Sequence, residues 1–300
     1  MYGSILIKNW KQAKDLYLKE GAIIYMPKRI KTTYATRVYG SIGQPAVAST
    51  VERHAHKKAG TKTGLNRKGI AATRKKGRSF PMRFKHKQFT SPAMRAVSTA
   101  DLSIASARRA GLKTYGGKRV RKVFRGKKVI GKVLVREETR PRKELDLYEI
   151  IKDMPAVERL EERLGEEVAL RRWLDGKLST KIIDKPKMVA DRIIKKRIAL
   201  GKIVFELGGK NKLLRNVSHS WIVEAVFERL TGRKFNLTSP KGKMSRPTEG
   251  LTVYFTKKGK AILEYRKKRY DVTANLVKIA GKERIGKIVE NAKKMKIAHT

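Results

Sequence analysis

The chain has 300 residues, with 74 Lys and Arg against 26 Asp and Glu, and a formal net charge of +48. It contains no cysteine, which excludes disulfides, thiol nucleophiles and Cys-ligated metal centres. So large an excess of like charge destabilises a compact body unless a partner neutralises it, and nucleic acid is the expected polyanion.

The charge is unevenly spread. Residues 21–136 hold 30 Lys/Arg against Glu52 and Asp101 alone, a local net charge of +28, whereas residues 137–170 are net acidic at −5. With 40% hydrophobic residues the chain can build a core, and at 33% charged it exceeds the usual share of about 25%. Few Gln among many Lys, Arg and Glu is the hyperthermophile pattern. The start, MYGSILIKNWKQ, lacks a secretory signal, and no apolar run approaches the roughly 20 residues that span a bilayer. The expectation is a chain neither secreted nor inserted in a membrane, located in a virion interior or in the cytoplasm or nucleoid.

In chain order, Ile5, Trp10, Ala13, Leu16 and Tyr17 predict an amphipathic helix over 4–20, ahead of an extended stretch at 22–39. Pro45 predicts a helix to Ala59. From Gly60 to Phe89 the apolar pattern vanishes and glycines alternate with basic clusters, which predicts disorder in isolation. Ser91-Pro92 is a helix start, with the helix running through Ala93–Ala110. Val120–Phe124 and Val129–Val135 predict a basic hairpin.

An acidic helix then runs from Pro155 to Gly176, its Arg and Glu three or four residues apart, and Pro186 opens another to Leu200. Beyond it the expectation is a strand at 203–207, helices at 210–216 and 219–231, and a loop over Thr238–Gly250. A hairpin of Leu251–Thr256 with Ala261–Arg266 follows, then helices near 273–280 and 282–297. The fold class expected is mainly α with small β-hairpins (α+β): an extended basic N-terminal arm, a helical body and a winged-helix-like C-terminal part. Five segments result: 1–59, N-terminal helix and extended piece; 60–90, basic arm; 91–136, helix and basic hairpin; 137–200, acidic-to-basic helical body; and 201–300, an α+β part.

Motifs for chemistry are weak. His54-Ala-His56 beside Glu52 has metal-ligand residue types, but on a helix His54 and His56 point to different faces. Gly111–Lys118 fails the phosphate-loop pattern because Gly117 and Arg119 interrupt it. Arg215-Asn-Val-Ser-His219 lacks the spacing of a recombinase box. The acids read as solvated ion pairs rather than as a catalytic pair. Neither metal nor cofactor is expected, and no enzymatic activity.

Binding is expected to rest on the basic clusters: Arg53, Lys57, Lys58, Lys62, Arg67, Lys68, Arg74, Lys75, Lys76, Arg78, Arg83, Lys85 and Lys87, then Arg108 and Arg109. The hairpin adds Lys118, Arg119, Arg121, Lys122, Arg125, Lys127 and Lys128, and the later turn adds Lys257, Lys258 and Lys260. At one charge per ~1.7 Å of duplex, +48 matches about 24 base pairs, far beyond the ~6–10 phosphate contacts of a site-specific regulator. The function expected is therefore a structural nucleoprotein, nucleocapsid-like or chromatin-like. It would coat and compact a genome, double-stranded DNA in preference to RNA, through self-association in a repeating assembly, alone or with a second structural protein. The alternative is a ribosome-associated RNA-binding protein; a DNA recombinase or transcription regulator ranks below both.

Overall fold

A computed structural model describes residues 47–55, 65–80, 85–109, 117–125, 128–137, 139–235, 244–256 and 258–297, with the backbone alone at 85, 117–125, 128–137 and 295–297. At its centre lies a mixed seven-stranded sheet in the order β5-β2-β6-β1-β7-β8-β9. The strands are β1 (Val47–Arg53), β2 (Lys85–Thr90), β5 (Thr139–Pro141), β6 (Lys212–Ser218), β7 (Gly250–Phe255), β8 (Ala261–Tyr265) and β9 (Lys268–Asp271). The first four in spatial order run parallel, and β7, β8 and β9 add an antiparallel meander on β1. A separate two-stranded ladder pairs β3 (Gly117–Arg125) with β4 (Lys128–Glu137).

The two faces of the sheet differ chemically because side chains alternate along each strand. One face meets α5 (Pro186–Ile193), a π-helical turn at Ile194–Ile198, α6 (Ala199–Glu206) and α7 (Ser220–Thr231). Val47, Val51, Phe89, Leu251, Val253 and Phe255 join Trp173, Ile193, Ile194, Trp221 and Val226 there in the main core. The Trp173 and Trp221 ring centroids lie 5.5 Å apart, an offset pairing that adds about 0.5–1.5 kcal/mol beyond the area buried.

The other face is polar and meets α1 (Arg67–Arg78) and α2 (Met94–Arg109). Arg215 is fully buried there and holds Glu52 Oε2 through Nε at 3.0 Å and Nη2 at 2.9 Å. Its Nη1 donates to Gln88 Oε1 at 2.5 Å and to Ser103 Oγ. One guanidinium thus ties β1, β2, β6 and α2 together. Burial alone would raise the Glu52 carboxyl, but Arg215 and Lys76 outweigh it and hold the group below its usual value. Helix α1 packs on α2 through Gly69, Thr73 and Gly77, and a Cβ at 77 would run into the Ser103 carbonyl.

This architecture corrects the expected fold class. The chain builds an α/β layer structure around a seven-stranded sheet, not a helical body with small hairpins, a flexible arm and a winged helix. Val47–Arg53 is a strand where Pro45 pointed to a helix: Val47, Ser49, Thr50 and Val51 suit the pleated backbone better. Lys212–Ser218 is a strand where a helix was expected, and Ala199–Glu206 is a helix where a strand was expected. Much of the basic arm is ordered as α1 and β2.

Helices α2 and α7, the β3–β4 and β7–β8 hairpins and the terminal helices α8 (Thr273–Ala280) and α9 (Lys282–Ile297) fall where expected. Gly165, at φ 82°, divides the acidic helix into α3 (Met154–Leu164) and α4 (Glu166–Leu174). The segments predicted at 4–20 and 22–39 lie outside the described residues.

Candidate active site

Three adjacent parallel strands, β2, β6 and β1, end together. Arg53 pairs with Ser218 across β1 and β6, and Thr90 pairs with Val217 across β2 and β6. Whatever follows these strands is gathered at the carboxyl edge of the sheet, where open α/β sheets bind ligands. His54 follows β1, Ser91 follows β2, and His219 follows β6 as the residue capping α7. Arg95 projects from the first turn of α2. Around them opens a cleft of about 370 Å³, lined by Arg53, His54, Arg95, Tyr148 and His219, with Glu158, Glu161 and Glu166 also on its wall.

The histidine protons can be placed by chemistry. His54 Nδ1 is 2.8 Å from the Ala55 carbonyl oxygen, which can only accept, so Nδ1 carries the proton and Nε2 is left with the lone pair. Burial, then the neighbouring His219 and Arg95, push the His54 pKa well below its usual value, so the ring is neutral at pH 7. His219 Nδ1 lies 3.3 Å from Arg95 Nη2, and a guanidinium has only donors, so Nδ1 accepts. The His219 proton therefore sits on Nε2, facing Ser91 Oγ at 3.3 Å and Asp146 Oδ1 at 3.4 Å.

Burial lowers the His219 pKa, with Asp146 opposing that shift. Asp146 would be raised by burial, but His219 and Ser91 stabilise its ionised form and the net shift is downward. The two imidazoles meet edge to face, centroids 5.0 Å apart at 80°.

Two guanidiniums flank this pair. Arg53 Nη1 donates to the Ser245 carbonyl at 2.8 Å, and its Nη2 stands 3.8 Å from Glu166 Oε1. Arg95 is 9% exposed, and its Nε has no hydrogen-bond partner among the described residues. A buried donor with no partner among the described residues, beside a cleft, suits an acceptor bound in that cleft. Two neutral imidazoles between two cations form a receptor for a compact dianion, with one unprotonated ring nitrogen in reach of it. Among the described residues no group of three or more His, Asp and Glu is placed to hold a metal ion.

Of the basic residues expected to bind whose side chains are described, only Arg53 lines the cleft. Arg67, Lys68, Arg74, Lys75 and Arg78 lie exposed on α1, while Lys76 stands 3.9 Å from Glu52. Lys87 lies on β2, 5.8 Å from the Phe89 ring centroid, and Lys85 opens that strand. Arg108 and Arg109 end α2. Lys118, Arg119, Arg121, Lys122 and Arg125 lie on β3, and Lys128 opens β4. Lys258 and Lys260 are exposed at the β7–β8 turn, Lys260 with Asp271 at 3.6 Å. Lys57, Lys58, Lys62, Arg83, Lys127 and Lys257 lie outside the described residues, as does His56.

Spacing in the sequence argues against His54 and His219 as chemical groups, and nothing in it marks Arg95 or Asp146. A usable signal existed: Arg53-His54 and Ser218-His219 each end a short run of buried type that a loop or a helix start follows.

No protein-family model and no curated protein matches the chain in sequence. Solved structures do resemble it. A phosphoglycerate mutase from Bacillus anthracis str. Sterne aligns at 15% identity over 78% of this chain and 97% of its own, with a TM-score of 0.45. A mycobacterial glucosyl-3-phosphoglycerate phosphatase aligns at 14% over 69% and 90%, TM-score 0.44. A structure named mycobacterial hydrolase 1 aligns at 14% over 74% and 99%, TM-score 0.47.

The expected coat protein without catalysis, with its nucleocapsid and genome-packaging attributes, is accordingly corrected. A built histidine–arginine cleft lies at the carboxyl edge of the sheet. No helix among the described residues is long and apolar enough to cross a membrane.

Proposed function

We propose that this chain is a phosphoryl-transfer enzyme, a phosphomonoester hydrolase with His54 as its nucleophile. One observation carries this reading: a neutral His54 whose Nδ1 proton is held by Ala55, so that Nε2 keeps its lone pair in a cleft that Arg53 and Arg95 also line. A free nucleophile sharing a cleft with two guanidiniums suits an electrophile that is itself a dianion, and a phosphomonoester is that electrophile.

In the first step His54 Nε2 attacks phosphorus, the phosphorus–oxygen bond to the alcohol breaks, and a phosphohistidine forms. Arg53 and Arg95 take up charge on the non-bridging oxygens, and the uncapped first amides of α7 face the same end of the sheet. The departing oxygen needs a proton, and the α3 carboxyls Glu158 and Glu161, which line the cleft, supply it. In the second step the carboxylate left by that transfer takes a proton from water as the water oxygen attacks phosphorus, and the phosphorus–nitrogen bond breaks, releasing inorganic phosphate and restoring neutral His54. Asp146 keeps the His219 proton on Nε2, so that His219 Nδ1 stays an acceptor for Arg95.

The test is turnover of p-nitrophenyl phosphate and of an alkyl phosphate by the full chain. His54→Ala should abolish both. Glu161→Gln should slow the alkyl ester more than the nitrophenyl ester, whose leaving group departs without a proton. Full activity in His54→Ala would reject the proposal.

A further inference from the structure

Arg53 is held unusually tightly for a residue at a strand end. Its backbone N–H donates to the Glu249 carbonyl at 2.8 Å, and its own carbonyl accepts from Thr248 N–H at 3.0 Å. Its side chain donates to the Ser245 carbonyl at 2.8 Å. All three partners belong to one turn, residues 244–249, in which Thr248 takes φ 67°, a left-handed conformation unfavourable for a β-branched residue. Such a turn persists only where its surroundings over-determine it.

Those surroundings can be named. Arg266 grips Glu249 through Nε at 3.0 Å and Nη2 at 3.1 Å, and its Nη2 also reaches the Met244 carbonyl at 3.1 Å. Arg246 N–H donates to Glu249 Oε2 at 2.7 Å. Beneath the turn lies Glu224 of α7, with no exposed surface. Its Oε1 accepts the Ser245 N–H at 2.6 Å, and its Oε2 has no hydrogen-bond partner among the described residues. Ser245 Oγ meets Tyr265 OH at 3.3 Å.

The two backbone groups of Ser245 therefore face opposite ways: the N–H points down to Glu224 and the carbonyl out to Arg53. A carboxyl in an apolar core costs several kcal/mol of desolvation in general, and packing alone gives no reason for one here.

We propose that Glu224 is a positioning residue: acting through Ser245, it sets the place of the Arg53 guanidinium in the cleft. This rests on reading the cleft as a phosphoryl site. Helix α7 then has two roles, carrying His219 at its start and, just over one turn further on, the group that fixes the arginine opposite.

The experiment compares wild type with Glu224→Gln, which keeps an oxygen acceptor for Ser245, and with Glu224→Met, which fills the volume without one. Glu224→Asp falls one methylene short of the amide and decides the matter should Glu224→Met not fold. Binding of inorganic phosphate should weaken about tenfold in the Met and Asp variants, the scale of one mislaid charged hydrogen bond, and stay within about twofold of wild type in the Gln variant. KM for p-nitrophenyl phosphate should rise more than kcat falls. In an Arg53→Ala background the same changes should add no further loss.

Unchanged phosphate affinity in folded Glu224→Asp, or additive losses with Arg53→Ala, would overturn the proposal. The Arg53 Nε–H resonance, assigned by its loss in Arg53→Lys, is a readout independent of catalysis. It should shift or broaden in Glu224→Asp while the Arg95 signal stays. Should wild type neither bind phosphate nor turn over esters, the phosphoryl reading fails, and an unmoved Arg53 signal would still sink the coupling separately.

Discussion

Arg95 Nη2 stands 3.3 Å from His219 Nδ1, and that contact settles which nitrogen of a buried imidazole bears the proton. An arginine donates and never accepts, so His219 remains neutral and turns its Nε2 proton toward Asp146. With His54 also neutral, neither ring is a cation: His54 keeps a lone pair on Nε2, and His219 spends its own on Arg95.

A first prediction concerns activity against pH. His54 attacks only when unprotonated, and burial beside His219 and Arg95 holds its pKa well below 6.5. The acid limb of kcat/KM should therefore lie below pH 6.5, with no loss of rate as pH falls through that value. Asp146→Leu removes the acceptor that holds the Nε2–H tautomer of His219, and should cost on the order of a hundredfold or more in kcat. A pH profile of each protein checks both.

A second concerns stability against pH. Burial raises Glu224 from 4.5 to about 7, partly opposed by the Ser245 hydrogen bonds and by Arg53, with Tyr265 and Arg266 the other ionisable groups nearby. A carboxyl with a raised folded pKa binds more protons in the native state, so its contribution is full below pH 4.5 and declines as pH rises to about 7. That loss is on the order of 3 kcal/mol. Glu224→Gln should flatten it, gaining stability relative to wild type between pH 5 and pH 8 in urea titrations.

The buried Glu52–Arg215 pair yields a third. Arg215→Leu leaves a carboxylate inside the sheet with Lys76 at 3.9 Å as its remaining charged partner, and should destabilise by about 3–5 kcal/mol. Glu52→Leu combined with Arg215→Leu should lose less than Arg215→Leu alone, because no unpaired charge remains. Chemical denaturation of the single and double variants measures the difference.

The net charge of +48 gives a fourth. Arg67, Lys68, Arg74, Lys75 and Arg78 face solvent on α1 and add to the positive field that an anion approaching the proposed phosphoryl site meets. Such a field raises encounter rates with anionic substrates and is screened by salt, with a Debye length of about 10 Å at 0.1 M. kcat/KM should fall as sodium chloride rises, with kcat nearly constant. Replacing those five residues by Gln should reduce the salt dependence.

Legibility in the sequence followed local signals. Helix α2 announced itself through Ser91-Pro92, and α7 ends in the structure at Gly232, which takes φ 67°. The central strands had no such signal. β1 and β6 are buried on both faces, so neither shows the alternation that marks a half-exposed strand, and short buried runs are also compatible with helix. Helix α1 buries Gly69, Thr73 and Gly77 against α2, small residues that form no apolar stripe, and so its basic surface read as disorder.

The site was illegible for a related reason. The sequence pattern puts His54 on a helix, facing away from His56; just past a strand end it meets His219 instead, a residue brought near by the parallel pairing of β1 with β6.

The most direct measurement is rapid acid-free quenching of the full chain during turnover of p-nitrophenyl phosphate, followed by peptide mass spectrometry. A phosphoryl group should be found on His54, stable to alkali and labile to acid, and absent from His54→Asn. Turnover with no phosphorylated His54, and persisting in His54→Asn, would contradict a nucleophilic role for this histidine.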